Sequence, residues 1–340
     1  MSGMHDDLNN VAFLTSLLCR GNWRRESETA PSLLTKSCHD IDFLLWMLCS
    51  PPKSGKGAAH LPSQLSSMGS LKQFRKTRKP KEAGGVTNCL QCPIQETCIY
   101  SAPRVYYEKQ LAKNNVSWPV NIVAPEIESC YSLKGKDAAK EMLFDKLRED
   151  YDADTPRSQI SNRQWYGRCV WESDNDVCDD QYVTIQWDDD ESSISSTNEP
   201  HSTGRLAKTA TFHMVAQTEK QCERRGWIYG TKGEISYDGT TISVFDFASS
   251  QFTQHHPHRP GGGHGGGDDG LVQQFLKAVN AVENHGATVE DAQAEHLGCT
   301  LEEIIRSHAM VFAAEEARKE RKVIDWAQWW SENVQKQANE

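Results

Sequence analysis

The strongest constraint on the fold is a central block in which apolar and polar residues alternate. The alternating runs occupy residues 164–171, 181–187, 209–218 and 224–229. A further stretch, 233–247, places Asp238-Gly239 between two alternating runs, the strongest short-range signal for a β-hairpin. No helical pattern separates successive runs, whereas parallel neighbours need long crossovers that are usually helical. The block therefore predicts an open, mostly antiparallel β-sheet.

Helical patterns flank this block. Residues 137–151 carry apolar side chains at helical spacing. Asp268 and Asp269 precede an apolar run as N-terminal charge and cap, and Thr300 with Glu303 forms a capping box that opens a helix over about 301–319. Helices packed on one face of a sheet give an α+β domain. The polar, Gly- or Ser-rich segments 51–85 and 188–204 are expected to be mainly loop insertions, with a weakly strand-like stretch around 68–74 in the first.

Charge and cysteine content narrow the class of protein. A formal net charge of -10 argues against nucleic-acid binding, which needs surplus Lys and Arg to neutralise phosphates. No apolar run reaches the roughly 20 residues of a membrane span, and no basic leader precedes the first apolar run. We therefore expect a cytoplasmic protein with reduced thiols. Cys89, Cys92 and Cys98 form a compact cluster whose spacing allows zinc binding, with free or redox-paired thiols as the alternative.

The first candidate for chemistry is a polar cluster before an apolar helical run. Lys36, His39 and Asp42 lie in the segment 31–48, and a histidine at a helix start can exchange a hydroxyl proton near neutral pH. Asp42, three residues on, is within reach of the same helical face. The alternative is a capping cluster in which Asp40 and Asp42 accept hydrogen bonds from free amides.

Two other segments suit ligand binding. Trp23 and Arg24 combine a ring that can stack on a sugar face with a guanidinium that can hold polar oxygens. The glycine tract 260–270 contains G-x-G-x-x-G but follows histidines and a proline, so we do not predict a nucleotide-binding βαβ unit there. It predicts a loop that sets His264 and Asp268 at a helix N-terminus, either as a ligand-closing loop or as a plain linker.

Five segments in chain order resemble the C-terminal domain of the Gfo/Idh/MocA oxidoreductases. They are GNWRRE, KSCHDIDFLLWML, GWIYGTKGEISYDGTTISVFD, HGGGDDGLVQQF and CTLEEIIRSHAMVFAAEEARKERKVIDW. The chain looks most similar to the cyclitol or aminosugar dehydrogenase branch. The resemblance implies a domain over 20–335, with 1–19 as an N-terminal remnant or extension.

The resemblance implies half of a two-domain enzyme. In that family an N-terminal Rossmann domain binds NAD or NADP, and the C-terminal domain supplies the substrate pocket and an oligomer interface on its open sheet. His39 matches the family's catalytic histidine and Asp42 the acidic residue after it, while Thr35 stands where an aspartate is usual. We expect Lys36 to assist His39, and the substrate-binding residues to be those that follow: Trp23, Arg24, Asp42, His213, His264 and Asp268.

The resulting expectation is a substrate-binding and oligomerisation half of an NAD(P)-dependent sugar or cyclitol oxidoreductase, inactive without a Rossmann domain. Two alternatives stay open. One is a non-catalytic carbohydrate-binding or interaction module. The other is an NAD-dependent glycosidase, because residues 264–268 resemble the H-G-G-x-D loop of such enzymes.

Overall fold

The computed structural model describes residues 8–15, 25–50, 58–190, 205–217, 224–261 and 266–336, with the backbone alone for 8–15. Its strands are β1 (Leu8–Thr15), β2 (Gln64–Ser70), β3 (Asp180–Trp187), β4 (Lys208–Val215), β5 (Gly226–Gly230), β6 (Gly233–Tyr237), β7 (Ile242–Asp246), β8 (Gln251–His255) and β9 (Ile324–Asp325). Within these ranges they form one nine-stranded sheet in the order β8-β7-β6-β5-β1-β4-β3-β2-β9.

The sheet consists of two antiparallel blocks that meet at β1. This strand pairs antiparallel with β5 on one side and parallel with β4 on the other. Every other pair among the described strands is antiparallel. The predicted α+β class with a mostly antiparallel sheet is confirmed.

The α-helices lie mostly at the two ends of the chain and in a segment before β3. They are α1 (Glu26–Thr29), α2 (Ser32–Cys49), α3 (Val120–Val123), α4 (Ile127–Lys134), α5 (Lys136–Arg148), α6 (Arg157–Ser161), α7 (Gly267–His285), α8 (Val289–Ala292), α9 (Leu301–Glu320) and α10 (Trp326–Trp330). Among the described helices, none combines the length and the apolar character that crossing a bilayer requires.

The main core forms where α2 and α9 cover one face of the sheet. Along β3, Val183, Ile185 and Trp187 are buried and alternate with more exposed neighbours, because successive side chains of a strand point to opposite faces. They pack with the apolar stripes of α2 and α9, including Leu44 and Met310.

A second, separate core lies between β2 and β3 in the chain. It is built from α3, α4, α5 and the π-helical turn Pro103–Glu108, around Tyr106, Leu143 and Leu147. Residues 164–171, expected to be a strand, belong to this region and are irregular, with an isolated bridge between Asn88 and Arg168. Trp165 and Trp171 are buried there. The alternation therefore reflects aromatic burial in an irregular segment.

The structure also differs from the expected segment boundaries at three places. Helix α2 begins at Ser32, seven residues before His39. The segment 51–85 contributes β2, whose Leu65 and Ser67 are buried, so this stretch is not all loop. The first turn of α7 contains Asp268 and Asp269 as expected, but the N-cap is Gly266 and no side chain caps the helix.

Candidate functional site

The outer face of α2 carries a stripe of exposed residues. Thr35, His39, Asp42 and Trp46 are exposed, whereas Leu33, Ile41, Leu44 and Leu48 on the opposite side are buried. Spacings of three and four residues place each set on one helical face. His39 therefore lies in the middle of the helix and not at its N-terminus, and any special chemistry must come from side chains around it.

His39 belongs to a three-residue cluster with Asp40 and Arg224. The Arg224 Nε donates to Asp40 Oδ1 at 2.5 Å, and Arg224 Nη2 lies 2.6 Å from His39 Nε2. His39 Nδ1 is 3.1 Å from Asp40 Oδ2. A guanidinium can only donate, so the contact with Arg224 requires His39 Nε2 to accept and places the imidazole hydrogen on Nδ1. The cluster thus fixes which ring nitrogen of His39 faces each partner.

Burial differs sharply within this cluster. The Asp40 side chain is 2% exposed, whereas the His39 side chain is 55% exposed. A buried carboxylate needs a charged partner, and Arg224 supplies it from the residue pair preceding β5. His39 is thus half-exposed, with Asp40 beside its Nδ1 and Arg224 beside its Nε2.

Tyr237, at the end of β6, lies near the same carboxylate. Burial raises the pKa of its phenol strongly, and the charge of Asp40 raises it further. The phenol therefore stays protonated and keeps its hydrogen-bond donor at every physiological pH. Its ring packs edge-on against Phe43 of α2, with the ring centroids 6.2 Å apart.

The other predicted residues of α2 have different surroundings. Lys36 is half-buried one turn before His39. Asp42 is exposed and lies close enough to Cys299, before α9, to add to the burial that raises the pKa of that thiol. The carboxylate beside His39 is therefore Asp40, for which the sequence predicts only a capping role. Arg224 was missed because it lies 184 residues away from Asp40 in the chain.

His213 lies on the opposite face of the sheet from His39. Its neighbours in β4, Phe212 and Met214, are buried in the core beneath α2, so the alternating His213 points away from it. The His213 ring stacks on Tyr182, with centroids 3.6 Å apart. Asp180 Oδ1 is 3.6 Å from His213 Nε2, and burial lowers the pKa of His213 against the opposing effect of this carboxylate. The structure does not bring His39 and His213 together.

The remaining predicted ligand-binding residues lie elsewhere or cannot be placed. Trp23, Arg24 and His264 fall outside the described residues. Asp268 is exposed in the first turn of α7.

The three clustered cysteines do not form a metal site in the described part of the chain. Of these three residues, Cys89 is buried, and Cys92 and Cys98 are partly exposed. Across the described residues there is no group of three or more His, Cys, Asp or Glu side chains arranged to hold a metal ion. The expected zinc site is therefore not supported, because C-x-x-C spacing alone does not make the sulfurs converge.

No protein-family model matches the chain, and no curated protein matches it either. Solved structures do match. The super-repressor mutant of Gal80p from Saccharomyces cerevisiae is 10% identical with a TM-score of 0.45, over 94% of this chain and 58% of that one. An oxidoreductase domain protein from Kribbella flavida is 11% identical with a TM-score of 0.43, over 93% and 59%.

Levoglucosan dehydrogenase in complex with NADH is also similar, at 11% identity and a TM-score of 0.45, over 95% of this chain and 59% of that one. The chain spans less than two thirds of the length of each of these solved chains.

Proposed function

We propose that this chain is the substrate-binding and oligomerisation half of an NAD(P)-dependent sugar or cyclitol oxidoreductase. The observation that carries the proposal is the His39 cluster. It presents a half-exposed imidazole, a guanidinium and a buried carboxylate together on the outer face of α2. Such a set can bind a hydroxyl group and accept its proton.

The proton chemistry follows from the tautomer. With hydrogen on Nδ1, His39 Nε2 is the atom that would accept a proton from a substrate hydroxyl. The imidazolium formed would lie 3.1 Å from the Asp40 carboxylate, which stabilises it. Arg224 must first exchange its contact with Nε2 for a substrate oxygen. Its guanidinium would then hold the oxygen that loses the proton.

The described residues do not fit a dinucleotide. The pyrophosphate of NAD(P) binds at a strand-to-helix turn of parallel βαβ units, and β1 with β4 is the single parallel pair among the described strands. We therefore propose that a separate domain binds the nucleotide. When bound there, the nicotinamide would supply the hydride acceptor or donor. Micromolar binding of NADH or NADPH by the purified protein would contradict this assignment.

The oligomerisation role is assigned to the sheet face away from α2. Tyr182, Trp227, Tyr229 and Phe252 are each between 39% and 61% exposed on β3, β5 and β8. Large apolar rings exposed across one sheet face are typical of a surface that another protein covers. A homo-oligomer through this face would bury them.

Binding measurements with sugar probes test the proposed substrate class. One similar solved structure contains L-sorbose, so L-sorbose, levoglucosan and a cyclitol are suitable probes in calorimetry or ligand-observed NMR. We expect millimolar or tighter binding that is lost in Arg224→Met and in His39→Ala. His308→Gln is the matched control, because His308 is an exposed histidine on α9. Binding unaffected by both cluster variants, or no binding of any probe, would refute the proposed site.

One contact favours a second candidate, a non-catalytic carbohydrate-binding module. Arg224 Nη2 occupies His39 Nε2, the atom that proton transfer needs, so the cluster as it stands suits hydrogen bonding to a sugar more than catalysis. In that case His39→Ala would retain most of the sugar affinity, while Arg224→Met would lose it.

A further inference from the structure

The exposed stripe of α2 extends well beyond the His39 cluster. Trp46 lies seven residues after His39 and is 52% exposed. Seven residues make almost two helical turns, so the two side chains lie on the same side of α2 within about 20° and are separated by about 10 Å along the helix axis. Asp42 lies between them and is also exposed. The stripe therefore carries a carboxylate and a large ring at fixed distances from His39.

The ring of Trp46 is held in place by other aromatic residues. It stacks on Phe43, with the ring centroids 6.1 Å apart and the ring planes inclined by 26°. Phe43 in turn packs against the main core and edge-on against Tyr237, whose phenol lies near Asp40. A ring that is supported from one side loses little freedom when a ligand packs on its exposed part. The aromatic contacts thus connect Trp46 to the His39 cluster and fix its position.

The chemistry of this stripe suits a sugar longer than one ring. The face of an indole ring carries partial negative charge and attracts the C–H groups that line one face of a pyranose ring. The Asp42 carboxylate forms no ion pair or hydrogen bond within the described residues, so it can accept hydrogen bonds from hydroxyl groups. A single pyranose ring bound at His39 is too short to reach Trp46, whereas a disaccharide spans the distance.

We propose that Trp46 forms a second sugar subsite and that the ligand of the His39 cluster is a disaccharide or a similar two-ring glycoside. The first ring binds at His39 and Arg224, hydroxyl groups near the linkage bind Asp42, and the second ring stacks on Trp46. This subsite rests on the function proposed above and narrows its substrate class. It serves a catalytic protein and a binding module equally, because stacking on Trp46 requires no proton transfer.

The test compares the affinities of single sugars and disaccharides for the purified protein by calorimetry. Glucose and the single sugars named above are compared with maltose, cellobiose and trehalose, which join the same ring by different linkages. We expect at least one disaccharide to bind about tenfold more tightly than any of the single sugars. Trp46→Ala should lower the affinity for that disaccharide to the level of the single sugars, whereas Trp46→Phe should retain most of it.

Ligand-observed NMR locates the second ring of the disaccharide. Selective irradiation of the aromatic protons of the protein should transfer more saturation to one sugar ring than to the other, and Trp46→Ala should abolish that difference. Trp118→Ala is the matched control, because Trp118 is 47% exposed and lies in the segment between β2 and β3. It should bind the disaccharide as the wild type does.

The outcomes separate this subsite from the proposed function. Single sugars that bind as tightly as every disaccharide, or a Trp46→Ala variant that binds the disaccharide as Trp118→Ala does, would overturn the subsite and leave the proposed function intact. Arg224→Met should weaken the binding of single sugars and disaccharides alike. If no single sugar and no disaccharide bound to the wild type, the proposed function and the subsite would both be wrong.

Discussion

The buried carboxylate of Asp179 provides the sharpest stability prediction. Asp179 precedes β3, is 3% exposed, and accepts three backbone N–H groups of one loop. Its Oδ1 accepts from Lys72 N at 2.7 Å, and its Oδ2 accepts from Gln73 N at 2.7 Å and Phe74 N at 3.1 Å. Hydrogen bonds to a charged group contribute about 1.5–3 kcal/mol each. Because the loop is partly exposed and water can replace some of them, Asp179→Ala should cost about 4 kcal/mol in total.

This cost is measured as the free energy of unfolding in urea, followed by tryptophan fluorescence. Asp179→Asn keeps the shape and part of the acceptor capacity, so it should cost about half as much. Asp176→Ala is the matched control. Its Oδ1 accepts a single exposed amide, that of Glu26, and its loss should cost about 1 kcal/mol. If Asp179→Ala lowered the free energy of unfolding no more than Asp176→Ala does, the three hydrogen bonds to Asp179 would not contribute the stability expected of them.

Three further outcomes follow from local contacts. Thr300→Ala removes the capping box of α9 and should lower the free energy of unfolding by about 1 kcal/mol, while Thr300→Ser should retain most of it. Burial raises the pKa of Cys49 and of Cys178 to about 11, so mass spectrometry after brief iodoacetamide treatment at pH 8 should find both less alkylated than Cys92. Burial lowers the pKa of His213 below 6.5, so its contribution to stability should be complete above that pH and decline as the pH falls. His213→Gln should flatten this part of the stability profile, and an unchanged profile would contradict the assignment.

Short-range patterns in the sequence were sufficient to predict most strands of the sheet. Strands β3 and β4 follow from strict alternation, because one face of each is buried. The β6–β7 hairpin follows from Asp238-Gly239, since Asp238 Oδ1 accepts from Thr240 N and Thr241 N and Gly239 adopts a positive φ of 81°. The capping box of α9 is likewise local and forms as predicted.

Structural features that depend on contacts between distant parts of the chain could not be predicted from the spacing of apolar residues. The first turns of α2 combine the buried Leu33 with polar residues held by distant contacts, since Ser37 is buried and Ser32 Oγ donates to the Cys178 carbonyl 146 residues away. The helix therefore starts well before His39. Likewise, β2 has a composition typical of a loop and becomes a strand because β3 and β9 pair with it on both sides.

The geometry of Arg224 reconciles the two functions proposed for the His39 cluster. The guanidinium contacts Asp40 through Nε and His39 through Nη2, so the two contacts are made by different nitrogens. Nη2 can therefore exchange His39 for a substrate oxygen while Nε continues to neutralise the buried carboxylate. Because the cost of leaving Asp40 without a counter-charge is avoided, the exchange requires only that the new hydrogen bond match the one lost. On the function proposed above, binding of a sugar would also release His39 Nε2 for proton transfer, and a partner domain that holds the nucleotide would make use of that release.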